Sequence, residues 1–346
     1  MEYEGRICRA PMERASFMLP VMVGCSYNKC KFCNLFRRLK YRELPLEQIE
    51  AELLRVKRLG GSPKTVFLGD GSAFDLHTTR LLKILNLIHA YFPACSAINA
   101  DATVSGILKK TEEELAALYA GGMRHLYIGI ESGLDDVLRF MQKDHTVAQA
   151  EKAVTELHKH GYFFDAHIMT GVAGAGRGRE NAEALAAFLN RTHPARVINF
   201  SMFLHGEVPL YKDVLNGRYE PADELANLKE EERLLELLGD DENRPVSYDG
   251  FHDFLQFRVR GLLPQDREKM LTAVRAEIAA YENTEPEYAF VHGDCTACSL
   301  KKNDGSGYVW EPAKLEHADG EIKKQANRVG TTSILQSFSA PCTKLF

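Results

Sequence analysis

Apolar positions along this chain follow two alternating rhythms. Short continuous runs of strand length are followed by longer stretches in which apolar residues recur every three or four positions. Residues 18–24 form the first run and read as a buried strand, with Pro20 admissible only near its start. Residues 46–59 place Ile49, Leu53 and Val56 at helical spacing and stop at Gly60-Gly61. Residues 65–68 predict a second strand, broken by Gly69-Asp70-Gly71. Residues 78–91 predict a helix with Leu81, Leu85 and Ile88 in register, and 96–100 a third strand. Thr111-Glu112-Glu113-Glu114 has the form of a capping box opening a helix to Ala120. Residues 124–130, 163–170 and 196–203 predict three more strands, with helices over 147–160 and 180–190 between them. The pattern then changes. Residues 221–238 predict an acidic amphipathic helix whose charge run, 229–233, reads as a solvated face. Residues 264–281 predict another helix with Pro264 at its start. The tail, rich in Gly, Lys, Asp and Ser, reads as irregular structure around Cys295 and Cys298.

Six strands alternating with helices imply a parallel sheet with right-handed crossovers. Periodicity does not choose between an open doubly wound sheet and a full or partial barrel. In either, ligands gather beyond the carboxyl ends of the strands. The informative loops are therefore 25–33, 69–71, 99–101, 131–133 and 171–178. The expected division is an N-terminal arm over 1–17, an α/β core over 18–240 and a C-terminal extension over 241–346.

Composition narrows the classes. The 346 residues are 45% hydrophobic and 26% charged, which is globular and excludes a disordered, collagen-like or coiled-coil chain. A net charge of −5 gives no general electrostatic reason to bind nucleic acid. No apolar run is long enough to span a bilayer, and residues 1–6 lack the order of a signal peptide. The expected location is the cytoplasm, where thiols stay reduced. The eight cysteines are Cys8, Cys25, Cys30, Cys33, Cys95, Cys295, Cys298 and Cys342. In a reducing compartment, clustered cysteines read as metal ligands or redox groups before disulfides.

Cys25, Cys30 and Cys33 stand on the loop after the first strand. Three thiolates there can hold three irons of a cubane cluster and leave the fourth open, whereas a fourth cysteine would close it. A zinc knuckle completed by a remote residue, or a disulfide with a spare thiol, are the other readings of this loop. Cys95 begins a predicted strand and reads as a small buried hydrophobe.

The loop resembles the signature of the radical S-adenosylmethionine (SAM) superfamily, with four residues rather than the usual three between the first two cysteines. Phe32 stands where that family has an aromatic against the adenine. Gly69-Asp70-Gly71 stands where a small Gly-rich acidic turn meets the SAM amino group. The segment 122–133 resembles the fourth strand of the branch with anaerobic coproporphyrinogen oxidase and the Elp3-like enzymes. In that strand a polar residue at the Glu131-Ser132 position reaches the nucleoside. Lys143 falls where the branch often has a basic residue near the cofactor; the other reading is a surface lysine. Segments 3–5, 9–13, 200–211 and 261–266 resemble an anaerobic group within the branch. The resemblance implies a (β/α)6 partial barrel, a [4Fe–4S] cluster and SAM. It also implies reductive cleavage of SAM to a 5′-deoxyadenosyl radical that takes hydrogen from a small-molecule or peptide substrate. A ferredoxin or flavodoxin would be the electron donor, and oxygen sensitivity follows.

Asp165-Ala166-His167-Ile168-Met169-Thr170-Gly171 approaches a cobalamin-binding pattern with one residue too many, so Asp165 and His167 read as strand-borne. Segment 171–178 lacks a P-loop ending and reads as a turn at a helix N-terminus facing cofactor or substrate. Cys295, Cys298 and Cys342, with Cys8 or His292 as further ligands, read as a second iron–sulfur or zinc site, or else as an incidental pair. Tyr308 and Trp310 read as chamber walls or as packing. Two other functions stay open: a haem- or porphyrin-binding chaperone of the same branch, and RNA modification.

Overall fold

A computed structural model describes residues 8–239, 241–292, 295–303 and 307–312, with side chains described only up to Val291. Its centre is a single eight-stranded sheet. The strands are β1 (Phe17–Pro20), β2 (Thr65–Gly69), β3 (Ala97–Ala102), β4 (Met123–Glu131), β5 (Phe163–Thr170), β6 (Arg196–Ser201), β7 (Val246–His252) and β8 (Phe257–Leu263). They lie in sequence order from one edge to the other. β1 through β7 pair in parallel and β8 returns antiparallel to β7.

The principal connecting helices are α1 (Leu46–Arg58), α2 (Thr78–Tyr91), α3 (Glu112–Ala120), α4 (Val147–Lys159), α5 (Gly178–Thr192), α6 (Glu224–Leu237) and α7 (Arg267–Tyr281). The Thr111–Glu114 capping box forms in both directions, and Thr146 with Gln149 makes a second one at α4. In the apolar stripes predicted for α1 and α2, Ile49, Leu53, Leu81, Leu85 and Ile88 have no exposed surface, and Val56 is partly buried. The fold is thus α/β with a mostly parallel sheet, as expected, and it is consistent with the partial barrel. The sheet is wider than expected by β7 and β8, which belong to the stretch assigned to the C-terminal extension.

Several local expectations change. Pro20 ends β1 rather than starting it; β1 is an edge strand, so the missing N–H leaves no partner unsatisfied. Asn99 and Asp101 lie inside β3, not in a loop after it. Pro264 sits in the turn before α7, which begins at Arg267. The tail contains β9 (Ala289–His292), β10 (Cys295–Asn303) and β11 (Gly307–Pro312) in a small sheet with Leu204–His205, not only irregular chain.

The charge run on α6 is not a solvated face. Glu230 and Glu231 are 2% and 0% exposed, and Glu224 is also fully buried. These carboxylates face the outer side of the sheet and find partners there. The Tyr248 hydroxyl (2.7 Å) and the Asn199 amide (3.1 Å) donate to Glu231 Oε1. His252 Nε2 lies 2.9 Å from Glu231 Oε2. Paired burial overrides the sequence rule that charge runs stay wet.

The inner face of the sheet carries a row of rings. Phe67 meets Tyr127 (centroids 5.9 Å apart), Tyr127 meets His167 (5.8 Å), His167 meets Phe200 (5.7 Å) and Phe200 stacks on Phe251 (5.5 Å). The arm ahead of β1 lies against this face, where Ala10 and Met12 pack with Met18, Phe67 and Tyr127. Glu13, only 3% exposed, accepts hydrogen bonds from Asn99 (2.7 Å) and the Tyr127 hydroxyl (2.5 Å).

Candidate functional site

Beyond the carboxyl end of β1 the chain turns at Gly24 (φ +79°) and enters the three-cysteine loop. Cys25, Cys30 and Cys33 are free and half-buried. Burial pushes the Cys33 thiol up to about 11; a backbone hydrogen bond at Leu35 offsets part of this, and Cys30 and Cys25 add to it. Cys30 is raised by burial too, against the pull of Lys143. The three thiols therefore sit close enough to oppose one another's ionisation. A bound cationic group reverses that opposition. Among the described residues no three His, Cys, Asp or Glu side chains close on a single ion. An iron–sulfur cubane takes one thiolate per iron, so three thiols on one loop suit three of its irons.

The loop is fastened on every side. The Tyr27 hydroxyl donates to the Gln142 carbonyl (2.7 Å), and the Lys31 N–H to the Met141 carbonyl (2.9 Å). Arg37 donates to the carbonyls of Cys33 and Cys30. Lys31 Nζ reaches Asp213 at 2.8 Å and lies 3.9 Å over the Phe140 ring. Asn34 Nδ2 is 3.0 Å from His205 Nδ1. Phe32 is partly buried and packs against the apolar group that includes Val137, Met141 and Tyr219.

Gly69-Asp70-Gly71 closes over the start of the loop. Gly71 has φ +132°, and a Cβ there would come within 2.5 Å of the Gly24 carbonyl oxygen and 3.3 Å of Cys25 Cα. The Cys25 sulfur lies 3.8 Å from Ser72 Oγ. Asp70 is 4% exposed and accepts only the Cys8 N–H among the described residues. Burial raises its carboxyl to about 6, against that hydrogen bond. Asp75 is likewise raised to about 6 by burial, although Thr103 and Ser26 donate to it.

At the end of β4, Glu131 takes φ +64°, a conformation costly for a residue with a side chain. Its carboxylate lies 3.3 Å from Lys143 Nζ. Lys143 is 9% exposed, so it is not a surface lysine. Burial alone would lower it, yet Glu131, Cys30 and Asp144 together hold it above its ordinary value. Ser132 is buried and donates to Asn181 (2.6 Å) while accepting the Leu134 N–H. Asn181 in turn donates to Glu230 (2.7 Å), and Glu230 accepts the Gly171 N–H (2.9 Å). The turns 131–133 and 171–178 are thus tied together from behind by one carboxylate.

The structure brings Cys25, Cys30, Cys33, Gly69, Asp70, Gly71, Glu131 and Lys143 to one end of the sheet, with Phe32 and Ser132 packed beside them. Cys295 and Cys298 are placed on β10, opposite His292 and Phe290 of β9. Their side chains, and Cys342 entirely, lie outside the described residues, as do the side chains of Tyr308 and Trp310. Cys95 is buried as expected.

Sequence reasoning gave no role to Glu13, Glu230 or the His125 pair, and it placed Asp101 in a loop rather than in β3. Asp101 faces the interior, where burial and then Asp70, Glu13 and Asp75 raise it to about 8. His125 Nε2 sits 2.7 Å from Asp165, which also faces Arg196 at 3.6 Å. His167 Nε2 is buried without a hydrogen-bond partner among the described residues. Strand parity is the signal that was available: Asn99, Asp101, His125, Tyr127, Asp165 and His167 alternate with apolar residues on three adjacent strands. For Glu13 and Glu230 the sequence carried no signal.

Residues 19–189 match the family model described as the radical SAM superfamily. Solved structures resemble the chain in fold. One is the radical SAM methyltransferase TsrM from Kitasatospora setae, at 16% identity and a TM-score of 0.48, covering 58% of this chain and 39% of that one. Methylornithine synthase (PylB) aligns at 15% identity and a TM-score of 0.47, over 90% of this chain and 80% of that one. The Elp3 protein of Methanocaldococcus infernus aligns at 15% identity and 0.45, over 65% and 54%. The chain thus spans well under two thirds of TsrM. No curated protein matches the sequence.

Proposed function

We propose that this chain, whose residues 19–189 match the radical SAM superfamily, works with a [4Fe–4S] cluster and SAM and cleaves SAM reductively to abstract hydrogen from a small-molecule or peptide substrate. One observation carries the reading: the three-thiol loop after β1 is locked against the Gly69–Gly71 turn through Gly71 and Cys25.

In this reading Cys25, Cys30 and Cys33 hold the cluster. When bound, the cluster supplies the electron that breaks a carbon–sulfur bond of SAM to give methionine and a 5′-deoxyadenosyl radical. The protein's own residues bind and orient. Asp70 is buried with no cation beside it among the described residues, so an incoming ammonium restores its ionised form. Main chain at Gly69 and Gly71 allows close approach where a Cβ would not. Lys143 offsets the charge of Glu131 and of the Cys30 thiolate. Phe32 offers an apolar face to the adenine, and Glu131 with Ser132 closes the nucleoside side. The ring row from Phe67 to Phe251 lines an interior that keeps water from a radical. Lys29, Arg38 and Lys40 are exposed on and just after the cysteine loop and suit an acidic ferredoxin or flavodoxin. Cys295, Cys298 and Cys342 are proposed to hold a second iron–sulfur or zinc site.

Anaerobic reconstitution followed by SAM and a strong reductant tests the proposal. Wild type is expected to accumulate 5′-deoxyadenosine, and Cys25→Ala, Cys30→Ala and Cys33→Ala to stay at background with depleted iron and sulfide. Variants that keep a full cluster and cleave SAM at the wild-type rate would refute it. Iron beyond four per chain, lost in Cys298→Ala, would mark the second site.

A further inference from the structure

The arm ahead of β1 brings a fourth thiol to the same place. It crosses the inner face of β2 from end to end. At one end the Cys8 N–H donates to Asp70 Oδ1 at 3.0 Å. In the middle Ala10 and Met12 pack on Phe67 and Tyr127. At the other end Ser16 Oγ lies 3.0 Å from Thr65 Oγ1, at the start of β2. Buried Glu13 pins this path through Asn99 and Tyr127. Cys8 is therefore fixed by main chain and by Glu13, not by its sulfur.

The turn 69–71 measures how near Cys8 comes to the cysteine loop. A Cβ at Gly69 would lie 3.9 Å from the Cys8 carbonyl oxygen, and one at Gly71 would lie 3.3 Å from Cys25 Cα. Cys8 and Cys25 thus flank a single three-residue turn. Cys8 is partly buried, with Asp101, Asp70, Cys33 and Cys25 all within electrostatic reach of its thiol. Of the other described sulfurs, Cys25 lies against Ser72 and Cys95 donates to the Ala97 carbonyl. Among the described residues the Cys8 sulfur has no hydrogen-bond partner.

We propose that Cys8 is an exchangeable fourth ligand of the cluster, bound to the open iron while SAM is absent and released when SAM arrives. The inference rests on Cys25, Cys30 and Cys33 holding the cluster. The exchange balances without an outside reagent. The iron–sulfur bond to Cys8 breaks while iron–nitrogen and iron–oxygen bonds to the methionine end of SAM form. The SAM ammonium must lose a proton to bind through nitrogen, and the departing Cys8 thiolate takes one up. Asp70, bonded to the Cys8 N–H and facing the incoming ammonium, adjoins both partners.

The test compares anaerobically reconstituted wild type, Cys8→Ala, Cys8→Ser and Cys25→Ala by iron and sulfide analysis, electron paramagnetic resonance of the reduced cluster with and without SAM, and SAM affinity. The Cys8 contact to Asp70 is main chain, so both Cys8 variants keep it. Wild type and Cys8→Ala are expected to hold the same iron, at least four per chain, and to give different spectra without SAM that become the same with SAM. SAM is expected to bind Cys8→Ala about tenfold more tightly, because no protein ligand competes. Mild oxidation without SAM is expected to give a three-iron signal in Cys8→Ala and not in wild type. Superposable SAM-free spectra of wild type and both Cys8 variants overturn the proposal while leaving the cluster reading intact. A wild type without a four-iron cluster, or a Cys25→Ala variant that keeps the full wild-type iron content, overturns that reading and the proposal with it.

Discussion

Gly71 shows how much of the site depends on one missing atom. Its φ of +132° and the 2.5 Å approach of a virtual Cβ to the Gly24 carbonyl leave no room for any side chain. Gly71→Ala is expected to lower stability by about 1–3 kcal/mol and to reduce the iron retained per chain, because the turn would have to leave the cysteine loop. Denaturant titration and iron analysis check this; unchanged iron retention would show that the close packing is dispensable. The cysteine trio and the Gly-Asp-Gly turn were legible in sequence because their chemistry is local: three thiols on one loop, one acidic turn after one strand. Glu131 stood out only through the resemblance of its strand, and Lys143 gained its meaning only when Glu131 was found 3.3 Å away. Glu13 was not legible, since its partners Asn99 and Tyr127 lie 86 and 114 residues further on.

At the scale of elements, hydrophobic rhythm located six strands and the main helices because each buries one face or one stripe. It missed β7 and β8. There Asp249, Gly250 and His252 interrupt the apolar run, and the strand is buried through partners rather than through apolarity. It also misread α6 for the same reason. Glu230 on that helix accepts both the Gly171 N–H and the Asn181 amide, and so sets the two turns that face the proposed cofactor. Glu230→Gln offers one acceptor where two donors wait. The expected cost is about 1–3 kcal/mol of stability. SAM affinity should fall while iron content stays at the wild-type level. Calorimetric titration with SAM checks the split; an unchanged affinity would reduce Glu230 to a packing role.

For the whole molecule, the pH response should follow His252. Burial would lower this imidazole, but Glu231 and Glu224 hold it charged, up to about 10. Its folded value lies above its unfolded one. The stability it contributes is therefore complete below about 6.5 and lost as pH climbs towards 10, on the order of a few kcal/mol. Wild type should lose stability between pH 7 and pH 10 more steeply than His252→Gln in urea titrations; parallel curves would place the charge elsewhere. The arm has a different consequence, one of timing. Glu13 leaves the ribosome more than a hundred residues before Tyr127, so its carboxylate must stay hydrated until four strands have assembled. The arm over the inner face is consequently a late-docking segment, although it is made well before the strands that receive it.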